Sequence, residues 1–136
     1  MRLEITGSTC ASCNVTESSD KVMRKAKLFS SSAMLLEPAF GLNSSGQLGT
    51  SDTTNYSSPV QLGSVTWEQL SCGYMHTTFI KNDNTLWSTG SSLYGQLGLS
   101  DTVSRSTPTQ IGTLSNWSSI TAGAYSVTAI KTDGSL

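Results

Sequence analysis

The chain has 136 residues, a net charge of −1, 12% charged and 36% hydrophobic residues. This length holds one domain at most, and with no basic excess a phosphate-binding, nucleic-acid-reading surface is not indicated. Abundant Ser and Thr with 12 glycines suit an all-β protein with many turns, while low net charge and recurrent Trp, Leu and Ile argue against disorder.

Residues 1–40 come first and read least clearly. The N-terminus, MRLEITGSTCASC, has no continuous apolar core and so does not read as a signal peptide. No stretch of the chain is long and apolar enough to predict a membrane span, and the compartment stays open. Cys10 and Cys13 form a C-x-x-C pair. Half a zinc site would need two further ligands, and only Cys72 and His76 are on offer; a thiol-redox pair would need a βαβ context that is absent. No metal or cofactor is expected. Asp20–Leu28 (DKVMRKAKL) reads as a short basic helix, and a solvated helix or loop is its simpler reading. Alternatively, Lys27-Leu28-Phe29-Ser30 is similar to Thr85-Leu86-Trp87-Ser88, which makes 1–40 either a degenerate repeat with an insertion (SSAMLLEPAF) or an unrelated segment. N-x-S/T sequons at Asn14, Asn43, Asn55 and Asn116 matter only in a secreted protein.

From residue 41 the chain repeats itself. GLNSSGQLG (41–49) returns as GSSLYGQLG (90–98), so Gly46 and Gly49 fall on Gly95 and Gly98. Ser51-Asp52-Thr53 falls on Ser100-Asp101-Thr102, and Pro59 on Pro108. After one inserted residue, Trp67 falls on Trp117, Gly73 on Gly123, His76 on Ser126 and Asp83 on Asp133. Each copy predicts short strands: TWEQLSCG (66–73) and NWSSITAG (116–123), a hairpin over HTTFIKNDNTLWSTG (76–90) that turns at Asn82-Asp83-Asn84, and a short edge strand opening at Pro59 or Pro108. The glycine phrase between them supplies turn geometry. About four short strands in roughly 50 residues, repeated, is the pattern of a propeller blade.

Cys72-Gly73-Tyr74-Met75-His76-Thr77 and Gly95-Gln96-Leu97-Gly98, with looser D-G and W-G pairs at Asp83-Asn84 and Thr89-Gly90, closely resemble the regulator of chromosome condensation repeat. WD and kelch propellers fit worse. The resemblance spans residues 41–136 and implies an all-β fold, here a partial propeller of two to three four-stranded blades: repeats at 41–89 and 90–136, the last cut short at Leu136, in a fragment of a longer chain. It also implies, through the family's founder, a guanine-nucleotide exchange factor that docks on nucleosomes; neither an acidic face nor a wedge can be matched here residue by residue.

The candidate chemistry is weak throughout. His76 is the sole histidine and has Ser as its repeat counterpart, which favours a structural hydrogen bond over catalysis. The aspartates of the repeats read as turn residues. Trp67 and Trp117 read as wedges between blades. The leading expectation is a non-catalytic module that presents loops to a protein partner. Those loops are Leu42–Ser45 with Ser91–Tyr94, and Thr54–Ser58 with Val103–Thr107, with Tyr56, Tyr94 and Arg105 as anchors. A nucleotide exchanger and a glycan-binding or adhesive surface protein are the alternatives, and open blade edges predict self-association.

Overall fold

The computed structural model describes residues 38–136, all strand, turn and loop. Cys10, Cys13 and Asn14 lie outside the described residues, as does all of the segment 1–40 with its two readings except residues 38–40, which belong to the first strand. Eight strands follow in order: β1 (Pro38–Gly41), β2 (Tyr56–Gln61), β3 (Trp67–Cys72), β4 (His76–Lys81), β5 (Leu86–Gly90), β6 (Arg105–Gln110), β7 (Trp117–Ala122) and β8 (Val127–Lys131). They form three antiparallel sheets, β1-β2, β3-β4-β5-β6 and β7-β8. The four-stranded sheet crosses the boundary between the two sequence repeats, so the repeat unit and the sheet are offset: the glycine phrase connects the third strand of a sheet to its fourth.

The β-bulges follow the repeat. Register shifts lie between Ala39 and Gly41 and again between Ser88 and Gly90, between Trp67 and Gln69 and again between Trp117 and Ser119. Each bulge adds local twist. The edge strands differ from expectation: Pro59 and Pro108 are the fourth residues of β2 and β6, not the first. The strands start earlier because pairing begins at Tyr56 opposite Gly41 and at Arg105 opposite Gly90. Residues 56–58 and 105–107, expected as loop, are therefore strand.

The core lies between sheets. Ala39, Leu48, Leu62, Trp67 and Phe79 form one cluster, with Tyr56, Val65, Leu70 and Trp87 against it. Ile80, Leu86 and Ile120 form a second, flanked by Ile111, Trp117 and Ala129. β4 feeds both, since neighbouring side chains point to opposite faces: Phe79 enters the first cluster and Ile80 the second. Burying each contributes about 2–3 kcal/mol. With both faces covered, HTTFI is buried throughout instead of alternating. The central sheet is further tied to β7 by Gln69 Nε2 donating to Ser118 O (2.7 Å) and by the Ala122 N–H donating to Ser71 Oγ (2.9 Å).

Candidate functional site

The glycine phrase makes a rigid loop by local bonds. In residues 42–55 the Gly46 N–H donates to Asn43 O and the Gly49 N–H to Gly46 O, and residues 91–104 repeat this with Gly95 to Ser92 and Gly98 to Gly95. Gly46, Gly49, Gly95 and Gly98 all have φ between +68° and +76°, a region that L side chains avoid. Gln47 and Gln96 each fold back to accept a backbone N–H, from Ser45 and Tyr94, at 2.9 Å. Asn43 is fully buried: its Oδ1 accepts from Leu48 N and its Nδ2 faces Thr50 and Asp52.

Loop 42–55 crosses to the next sheet. Thr77 Oγ1 donates to Gln47 O (2.8 Å), and Thr89 Oγ1 lies 2.9 Å from Gly46 O and 2.8 Å from Arg105 O. The Ser51 N–H donates to Ser106 O at 2.9 Å. A Cβ on Gly46 would collide with Ser106. The loop is thus a strap between sheets, and the buried hydroxyls of β4 and β5 are its anchors. Ser88 Oγ donates to Leu97 O (2.8 Å) and holds loop 91–104 likewise. At the opposite end Asn84, with φ +61°, donates from Nδ2 to Trp117 O (3.0 Å) and ties the β4–β5 turn to β7.

The predicted anchors are not brought together. Tyr56 and Arg105 are repeat counterparts and do the same job four residues after an aspartate. Tyr56 OH donates to Asp52 Oδ2 (2.6 Å), and Arg105 Nη2 bonds Asp101 Oδ2 (2.7 Å) while Nη1 donates to Val103 O. The bond from Tyr56 holds the Asp52 carboxyl below its ordinary range and pushes the phenol up. The Val103 N–H, and then Arg105, lower Asp101. Tyr56 also lines an open groove of about 470 Å³ between β2 and β6, with Val60, Trp67, Trp87 and Pro108.

His76 sits at the start of β4, 1% exposed. Its ring lies against the backbone of Gly73, where a Cβ would collide with it; in the second copy a Cβ on Gly123 would meet Ser126 Oγ at 2.7 Å. Gly73 is required by this close approach, which includes Gly123 O at 2.6 Å, and not by φ, whereas at Gly123 a turn of the Ser126 hydroxyl would relieve the contact. Burial lowers the imidazole pKa; a backbone group of Ser126 offsets part of this, yet no bond of good geometry reaches either ring nitrogen. Cys72, also buried, lies 4.0 Å from Thr77 Oγ1. Among the described residues no three His, Cys, Asp or Glu side chains gather as a metal site would need, and no helix is long and apolar enough to cross a membrane.

Trp67 and Trp117 lie one in each cluster. Trp67 meets Phe79 at 4.7 Å and Trp87 at 6.0 Å between ring centroids, and Lys131 Nζ stands 5.5 Å from the Trp117 ring.

Tyr94 is the predicted anchor that remains open. It is 73% exposed and does not stand alone. Its ring meets Tyr125 at 5.2 Å, edge to face, and Tyr125 meets Tyr74 at 5.8 Å. The three tyrosines come from three connections at one end of the sheets: β3–β4, β5–β6 and β7–β8. The Tyr74 N–H donates to Ala124 O (3.2 Å) and joins two of them. Sequence reasoning missed Tyr74 and Tyr125 because they are not repeat counterparts: Tyr74 falls on Ala124 and Tyr125 on Met75. Their only signal was position, since both stand in the short link after a strand-ending glycine.

Comparison with known proteins agrees with this architecture. The profile of the Regulator of chromosome condensation (RCC1) repeat matches residues 39–80 and 83–130, and a second profile of that repeat matches 67–96. No curated protein sequence matches the chain. Among solved structures, human WBSCR16 is similar at 26% identity over 71% of this chain and 27% of its own, with a TM-score of 0.57. Prp20p from Saccharomyces cerevisiae, described with its binding to Gsp1p and histones, is similar at 21% identity, the same coverages and a TM-score of 0.62. Yeast RCC1 (Prp20) bound to Kap60 is similar at 21% identity over 71% of this chain and 26% of its own, with a TM-score of 0.63. The chain thus spans about a quarter of the length of the structures it matches. At this level the likeness gives the fold: an all-β, partial β-propeller.

Proposed function

The chain belongs to the regulator of chromosome condensation (RCC1) repeat family, and from that membership we propose that it is a non-catalytic docking module for a protein partner, with the tyrosine end as its contact surface. The observation that carries this is the contiguous set of Tyr74, Tyr94 and Tyr125, each more than half exposed and each in ring contact with another. Tyrosine offers a large amphipathic contact area at low side-chain entropy cost, and Ser- and Gly-rich loops around it offer adaptable hydrogen bonds. GYM (73–75), SSLYGQLGLS (91–100) and GAYS (123–126) have that composition. The strap bonds hold the surface in place before any partner arrives.

Proteins are the partner class named for the similar yeast structures, Gsp1p and histones for Prp20p and Kap60 for yeast RCC1. Identity of 21% carries the fold to this chain and not those partners, nor nucleotide exchange. Around that surface Gly46, Gly49, Gly73, Gly95, Gly98 and Gly123 shape the loops, Trp67 and Trp117 pack in the two clusters between sheets, and His76 packs on Gly73.

The test is affinity capture from the source cells by the chain and by a Tyr74→Ser, Tyr94→Ser, Tyr125→Ser triple variant, with circular dichroism on both. A protein captured by the first and lost from the equally folded second is the expected result. Unchanged capture by the triple variant would move the contact surface elsewhere.

A further inference from the structure

The groove between β2 and β6 is separate from the tyrosine end. Trp67 pairs with Lys81 at one end of the β3–β4 ladder, and Cys72 with Thr77, beside Tyr74, at the other. Trp67 and Lys81 line the groove. We infer that it binds a small molecule with a flat apolar body and a single carboxylate. Size is the first ground. The groove holds about 470 Å³, inside the range of roughly 300–1,000 Å³ usual for ligand sites. The walls are the second. Tyr56, Val60, Val65, Trp87 and Pro108 are each half-buried and reach the groove from two neighbouring sheets and the link after β2. Trp67 is buried and meets Trp87 edge to face, with ring centroids 6.0 Å apart. Aromatic and aliphatic surface left half-open on facing walls is stabilised when a flat apolar body covers it. Charge is the third. Among the described residues that line the groove, Lys81 is the one charged side chain, and no carboxylate lines it. An ammonium carries three donors, and Lys81 gives one to Asp83 Oδ2 at 3.0 Å. Asp83 is held by its own turn, its Oδ1 accepting from the Thr85 N–H and hydroxyl. A ligand carboxylate therefore meets the remaining ammonium protons, and the nearby Asp83 charge opposes it.

The probe is 2-naphthoate, titrated into the 136-residue chain by isothermal calorimetry at neutral pH and low ionic strength. Its uncharged match is 2-naphthamide. Saturable binding at one site is expected, about fivefold tighter for the acid than for the amide. Lys81→Met should bring the acid down to the amide. Asp83→Asn keeps the turn acceptor and should tighten the acid about twofold, with the amide unchanged. Val60→Trp fills the groove and should abolish binding of both. No saturable binding of the acid, equal affinity for acid and amide, or acid binding indifferent to Lys81→Met would overturn the inference. So would unchanged binding in a folded Val60→Trp chain. If circular dichroism shows Val60→Trp unfolded, Lys81→Met and Asp83→Asn decide by themselves, since both alter half-exposed or exposed side chains. Opposite shifts of the acid with a constant amide support the site, and shifts of one sign or none overturn it.

Discussion

Gly46 and Gly95 occupy the same place in the two copies and share a left-handed backbone, φ +76° and +74°, yet their surroundings differ. A Cβ at Gly95 meets nothing within 4 Å, whereas one at Gly46 collides with the Ser106 backbone. Alanine at Gly95 should therefore cost only the conformational penalty, about 1–2 kcal/mol. At Gly46 the collision adds to it, and the loss should reach about 3 kcal/mol or more. Urea denaturation of the two variants checks the ordering. His76 supplies a second residue-level expectation. Its folded pKa is lowered by burial, so below about pH 6.5 the unfolded chain takes up a proton that the folded chain resists. Its effect on stability is absent above that pH and unfavourable below it, growing until the folded pKa is reached. The urea midpoint of the parent should drop between pH 7.5 and 5.5, and the drop should be smaller in His76→Gln.

At the scale of elements, the strap gives three buried hydroxyls of β4 and β5, on Thr77, Ser88 and Thr89, a defined task. Hydroxyls on the inner strands capture loop carbonyls that would otherwise be buried without partners. Thr89→Val keeps the shape and removes the single hydroxyl proton shared between Gly46 O and Arg105 O; a loss of about 1–3 kcal/mol is expected, with faster hydrogen exchange at Ser51, whose N–H bonds Ser106 O. Slow exchange at Ser51 in the variant would argue against the strap. Much of this element was legible. The glycine phrase, the strand pairs and the hairpin turn follow from repeat spacing and turn chemistry. Asn84 even takes the positive φ that Gly134 takes in the second copy. What was hidden is what crosses between sheets. Tyr56 and Arg105 look like free anchors in the sequence, and only the folded loop brings Asp52 and Asp101 to them. The starts of β2 and β6 were hidden too, because the bulges beside Gly41 and Gly90 set the register. Tyr74 and Tyr125 break the repeat, so a reading built on recurrence passes over them.

At the scale of the molecule, each described sheet is stabilised by its neighbours: both apolar clusters lie between sheets, and no sheet buries its faces alone. This is the logic of a repeat array, in which stability is a sum of units and interfaces. It places loops of successive repeats side by side and builds from them a surface that no single repeat carries. The most direct measurement is site-resolved photo-crosslinking. Benzoylphenylalanine is put at position 94, among the tyrosines, and separately at position 132, in the turn at the opposite end, and both chains are irradiated in extracts of the source cells. A protein adduct at position 94 and none at 132 is the predicted result. Adducts at 132 alone, or equally at both, would contradict a partner surface at the tyrosine end.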